Sequence, residues 1–157
     1  MKLLNSSTAA LGVLLLAGCA AVSYGDKATE TRLRELQPIA GKTSLYICRE
    51  AAGFSGAGNR TTAMLNGRAI GTLKPNNFAH AAVEPGLQDV YVKLNPGGDS
   101  GILTVRTQPG EVAIVWVGVT GSGFGVLTVD NFTSRSEAEQ CVKGAAYAVP
   151  AETSAIR

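Results

Sequence analysis

From residue 43 onward the chain alternates apolar and polar positions in short runs broken by Gly, Pro and Asn, the two-residue period of half-buried strands. Residues 43–50 set Leu45 and Ile47 against Tyr46 and Cys48 and predict a first strand, followed by a Gly-rich loop over 51–61. Residues 63–65 and 68–73 flank Asn66-Gly67 and predict a hairpin, because both central positions of such a turn want positive φ. Residues 78–83 and 87–94 flank Glu84-Pro85-Gly86 and predict a second hairpin, Pro presetting one turn angle and Gly taking the next. Residues 101–108 and 111–120 flank Pro109-Gly110, and the run 112–119 is apolar or Gly on both faces, as a strand at the centre of the core is. Residues 126–132 predict an eighth strand, after which Ser134 and Glu137 form a capping box for a short helix ending near Lys143-Gly144.

The pattern therefore predicts an all-β fold, an antiparallel β-sandwich of about eight strands with a short C-terminal helix, over residues 43–144. Residues 145–157 read as a flexible tail. If each strand reverses the one before, Asn66-Gly67, Glu84-Pro85-Gly86 and Pro109-Gly110 share one end of the sandwich with the chain arriving at Thr43. The long loops 51–61, 74–77, 95–101 and 121–125 share the other, where adaptable loops suit a partner. Phe54, Arg60, Asn76 and Phe124 are the partner-binding candidates there, since aromatic and Arg side chains dominate interface energetics.

Before residue 43 the pattern changes. Lys2, an apolar run over 9–17 and small residues before a cysteine make a secretory leader too short to span a bilayer as a helix. Leu16-Ala17-Gly18-Cys19 resembles the lipobox of bacterial lipoproteins, which implies cleavage of residues 1–18 and acylation of Cys19. Several acyl chains anchor stably where one does not, at about 0.8 kcal/mol per buried methylene. Ala20, not Asp, follows the cysteine, which in lipoproteins of the enteric type implies passage to the outer membrane, facing the periplasm. Residues 19–42 are polar apart from Leu33 and Leu36 on a possible helical face closed by Pro38, and read as a lipid-anchored tether. Fully extended it reaches about 75 Å, enough for the domain to stand off the membrane.

Composition narrows the function. Removing residues 1–18 from the 157 leaves 139, the size of one domain, with 13 Lys and Arg against 12 Asp and Glu. A near-neutral chain with no basic cluster argues against a nucleic-acid partner. With Cys19 lipidated, Cys48 and Cys141 remain as a pair that an oxidising periplasm would join across 93 residues, the alternative being two buried thiols. If Leu45 and Ile47 face the core, Cys48 faces outward, where a helix folded back after the eighth strand would be pinned by the bond.

Leu45-Tyr46-Ile47-Cys48-Arg49, the hairpin from Asn66-Gly67-Arg68 to Leu73, Phe78, Glu84-Pro85-Gly86 and Pro109-Gly110-Glu111 together resemble the bacterial lipoproteins grouped as domain of unknown function 2846. The resemblance covers residues 42–132 and departs in placing Cys48 where an aromatic is commoner. It implies a β-sandwich on a lipid tether and supplies no catalytic residues.

Catalytic and metal motifs are weak. Gly53-Phe54-Ser55-Gly56-Ala57 misses the last Gly of a nucleophile elbow and precedes a strand, whereas that elbow leads into a helix. Gly121-Ser122-Gly123-Phe124-Gly125 lacks the following helix of a phosphate loop. His80, the single histidine, has no nucleophile or carboxylate beside it in a recognisable motif and reads as a strand-face residue. Asp99 beside Gly97-Gly98 lacks EF-hand spacing, so no metal and no cofactor are expected. The sequence thus reads as a non-enzymatic, lipid-anchored envelope protein that scaffolds or binds another envelope component. The alternative is a module for a small ligand or glycan, and a hydrolase fits less well.

Overall fold

The computed structural model describes residues 22–51, 59–95, 97–120 and 126–151. Ten strands and two helices follow in the order β1 (Ser23–Tyr24), α1 (Lys27–Arg34), β2 (Thr43–Arg49), β3 (Arg60–Leu65), β4 (Arg68–Leu73), β5 (Asn77–Val83), β6 (Gly86–Asn95), β7 (Leu103–Thr107), β8 (Val112–Thr120), β9 (Val126–Asn131), α2 (Arg135–Gly144) and β10 (Ala146–Val149). They form a sandwich of a six-stranded sheet, β1-β10-β5-β2-β8-β9, and a four-stranded sheet, β4-β3-β6-β7. The fold class is as the alternation predicts.

Between the sheets lie Leu45, Ile47, Leu65, Leu73, Val90, Val92, Val115 and Val117, all buried. They come from alternate positions of their strands, so one face of each sheet is dry. The layers approach closely at Gly71, where an added Cβ would stand 2.8 Å from the Ala79 Cβ and 2.9 Å from the Ala148 carbonyl oxygen. At one end of this core Arg49 is 1% exposed, and its guanidinium donates to the carbonyls of Asn59 (2.8 Å) and Leu73 (3.2 Å), linking the two sheets.

Asn66 and Gly67 take φ of 48° and 79°, and β3 and β4 pair antiparallel across them as predicted. Glu84-Pro85-Gly86 is a turn but not a hairpin. β5 pairs with β2 and β10, while β6 pairs with β3 and β7, so the turn carries the chain from one sheet to the other. Pro109-Gly110 does the same between β7 and β8. A turn motif reports a local reversal, and which sheet receives the next strand depends on distant partners. Nor is the pairing wholly antiparallel, since β2 with β8 and β10 with β5 are parallel. Within each sheet the directions of β2 to β9 are those of strands that each reverse the one before.

Two boundaries are corrected. Residues 22–42, read as part of the tether, fold onto the domain: β1 pairs with β10, and Leu33 and Leu36 are buried with Tyr46, Phe78 and Val142. Residues 146–149, read as tail, form β10 inside the six-stranded sheet. Polar contacts hold these segments. Arg34 donates through Nε to the Ala145 carbonyl at 3.1 Å, and the buried Glu30 carboxylate accepts the Tyr147 N–H at 2.9 Å. Burial raises the pKa of Glu30, but that hydrogen bond together with Lys27 and Arg34 outweighs it and holds the carboxyl below the usual range.

Candidate functional site

The outer face of the six-stranded sheet is where the chemistry gathers. Strand alternation turns Ser44, Tyr46 and Cys48 of β2 outward, and the antiparallel register of Tyr46 with His80 and Cys48 with Phe78 brings the β5 side chains alongside. Helix α2 lies over β2, with Ser134 as its N-cap accepting the Glu137 N–H, half of the predicted capping box. Cys48 and Cys141 form a disulfide, with Cα atoms 6.3 Å apart, which fixes this helix to the sheet as expected. Helix α1 lies beside it, capped by Asp26 accepting from the Thr29 N–H at 2.8 Å.

Between α1, the segment after it and the sheet is a groove of about 450 Å³ lined by Arg32, Leu33, Pro38, Ile39, Tyr46 and His80 among others. Ser44, Thr29, Gln37 and Tyr147 also reach it. His80 Nε2 and Ser44 Oγ share a hydrogen bond of 2.8 Å, and the Tyr46 ring lies 4.6 Å from the imidazole centroid. Tyr46 in turn donates to the Leu33 carbonyl at 2.9 Å, which ties α1 to β2. Phe78 stacks on Tyr147 at 5.4 Å.

Burial keeps the titratable rings of the lining neutral. Burial and then the charge of Arg32 push the His80 imidazole down to about 4. Burial raises the Tyr46 phenol against a hydrogen bond from Ser44, and burial, then Asp26 and Tyr46, raise the Tyr147 phenol. Arg32, exposed at the mouth, is the fixed charge of the groove. Such a cleft offers ring faces and aliphatic walls to an apolar body and a cation to an acidic head.

A second hollow of about 390 Å³ lies toward β9, lined by Glu50, Trp116, Asp130, Phe132, Thr133 and Glu137. The Trp116 indole donates to Glu50 at 2.8 Å and lies over Gly118, where any Cβ would meet the ring at 1.9 Å. One carboxylate here is therefore engaged internally. Among the described residues no group of three or more His, Cys, Asp or Glu is placed to hold a metal ion.

The residues singled out from sequence fare unevenly. Cys19, Phe54 and Phe124 lie outside the described residues, as does Ser55. Arg60 opens β3 opposite Asn95, at the end of the sandwich where Arg49 lies. Asn76 is at that end too, but its φ is 63°, its N–H donates to the Arg49 carbonyl at 3.0 Å, its own carbonyl accepts from Ala146, and its amide donates to Gly144. It secures a turn and the start of β10. The Ser44–His80 pair was missed because 36 residues separate the two, and only the β2–β5 register joins them.

No family model matches the sequence, and no curated protein matches it. Among solved structures, an NMR structure of a protein from Eubacterium rectale aligns over 60% of this chain and 92% of its own, with TM-score 0.41 and 11% identity.

Proposed function

We propose that the chain is a lipid-anchored binding protein of the bacterial cell envelope, attached through Cys19 at the outer membrane and facing the periplasm, and that the groove beneath α1 holds a small amphipathic anion. The groove carries this reading: the Tyr147 ring with Leu33, Pro38 and Ile39 for the apolar body over a floor that includes the buried Tyr46, and Arg32, exposed at the mouth, for the acidic group. The leader, the lipobox and Ala20 support the location, as does the resemblance to the lipoproteins of domain of unknown function 2846. Binding fits this lining better than hydrolysis does. Ser44 is 1% exposed, which hinders its use as a nucleophile, and an imidazole with a pKa of about 4 is a weak base. A protein partner at the loop end is the weaker alternative, because Asn76 is committed to the fold.

The test uses anilinonaphthalene sulfonate, an aromatic anion of the proposed kind. Its fluorescence should saturate at one equivalent, and Arg32→Ala or Thr29→Trp, the latter filling the mouth, should each weaken binding by about tenfold, or 1.4 kcal/mol. Binding that does not saturate, or that both variants leave unchanged, overturns the groove.

A further inference from the structure

The position of β1 bears on how the domain meets the membrane. β1 is the outermost strand of the six-stranded sheet, paired on one side with β10 through Ser23–Val149 and Tyr24–Ala148. Gly25 then donates to the Tyr147 carbonyl at 3.1 Å, and Asp26 caps α1, so the backbone is held in place from β1 onward. Only Ala20 and Ala21 separate Cys19 from Val22. Three Cα–Cα steps span at most about 11 Å, against the 75 Å that an unfolded tether would allow.

We infer that this short linker holds the β1 edge of the domain flat against the bilayer surface, an inference that rests on the acylation of Cys19 proposed above. A lipid on Cys19 fixes that residue at headgroup depth, and the edge strand cannot then be much farther from the surface than the linker reaches. The residues at the edge suit the interface. Tyr24 is 51% exposed and the Lys27 side chain is 86% exposed, and such side chains sit well at headgroup level. Among the described residues no strand pairs with the outer side of β1, and unpaired backbone is not tolerated in hydrocarbon, so the edge rests on the headgroups and does not enter the core. The sheet then stands edge-on. β9, five strand spacings away, lies about 24 Å farther from the membrane. The loop end then faces sideways along the membrane, and α1 with its groove stays near the surface.

The experiment uses the full acylated protein in vesicles of phosphatidylethanolamine and phosphatidylglycerol containing a nitroxide-headgroup lipid. A bimane is placed on Tyr24→Cys or, as the far-edge control, on Asn131→Cys; Cys48 and Cys141 are bonded to each other and do not compete for label. Quenching should be several-fold stronger at position 24 than at 131. Inserting about twelve Gly and Ser residues between Ala20 and Ala21 adds roughly 20 Å of average reach and should lower quenching at 24 about threefold while the protein still sediments with the vesicles. Equal quenching at both positions, or quenching at 24 that the insertion leaves unchanged, overturns the proposal while the anchor stands. A protein without acyl mass on Cys19 that fails to sediment overturns the anchor itself, and this surface with it.

Discussion

The inner face of the six-stranded sheet buries Leu45, Ile47, Val115 and Val117 against the second sheet, whereas the outer face sets Ser44, Tyr46, Cys48 and Trp116 beneath or beside two helices. Both faces belong to the same strands, one residue apart. Apart from the Arg49 guanidinium that bridges the sheets at one end, the inner face is held by apolar contact, which is strong and tolerant of exchange among residues of similar volume. The outer face is held by a disulfide, ring contacts and hydrogen bonds to named carbonyls, and leaves two hollows between its elements. Stability therefore concentrates on one side of the sheet and specific chemistry on the other.

The largest expected effect is on the inner face. Leu45→Ala removes a fully buried side chain where both sheets meet, and should cost about 4 kcal/mol in urea unfolding followed by Trp116 fluorescence. A loss under about 1 kcal/mol would mean that the inner face is not the stabilising side.

Next comes the outer-face bond. Reducing Cys48–Cys141, or replacing both by Ser, releases a closed loop of 93 residues and should cost about 3 kcal/mol. Alkylation of the denatured, unreduced protein should find neither thiol; two modified thiols would show that α2 is held by packing alone.

The two faces also differ in how much of them is legible in the sequence. The inner face is visible because the two-residue alternation of Leu45 and Ile47 needs no knowledge of partners. Asn66-Gly67 is visible because its positive φ values are a local demand. Glu84-Pro85-Gly86 and Pro109-Gly110 look like hairpin turns because the local geometry is a reversal, while the change of sheet is decided by β2, which takes β5 and β8 as neighbours. The outer face is largely hidden. Glu30 and Arg34 have the spacing of a solvated helix pair, yet both also bind backbone of the 145–147 segment more than a hundred residues away. Ser44 and His80 meet only once the β2–β5 register is known. β1 and β10 are two and four residues long, too short for any period to show.

Acid should affect the outer face before the inner one. His80 binds its proton near pH 6.5 in the unfolded chain and near 4 when folded, so the unfolded chain takes up the extra proton between these values. Its contribution is complete above about pH 6.5 and is lost as pH falls toward 4, a change on the order of 2 to 3 kcal/mol. Glu30, held below 4.5, adds a separate loss that sets in as pH falls past 4.5 and is complete once pH has fallen through its lowered value. His80→Gln should flatten the upper window and leave the lower one. Urea midpoints measured from pH 7 to 4 decide this, and an unchanged slope in the variant would remove His80 as the cause.

The smallest effect distinguishes local from global anchoring of α1. Tyr46→Phe keeps the ring on His80 and Phe78 and removes only the hydroxyl that donates to the Leu33 carbonyl. One hydrogen bond of this kind contributes about 1 kcal/mol, which lowers the melting temperature of a chain this size by roughly 2–4 °C. Hydrogen exchange should show the effect unevenly. Amides of α1 should exchange about fivefold faster, since 1 kcal/mol is a factor of about five in a local opening equilibrium, while those of β2 and β8 in the core change little. The groove is closed on one side by α1, so the same variant should weaken anilinonaphthalene sulfonate binding without abolishing it. If α1 and β2 amides accelerate equally, the helix opens only with the whole domain. The outer face would then be as much a part of the cooperative core as the inner face, and the division of labour between the two faces would not hold.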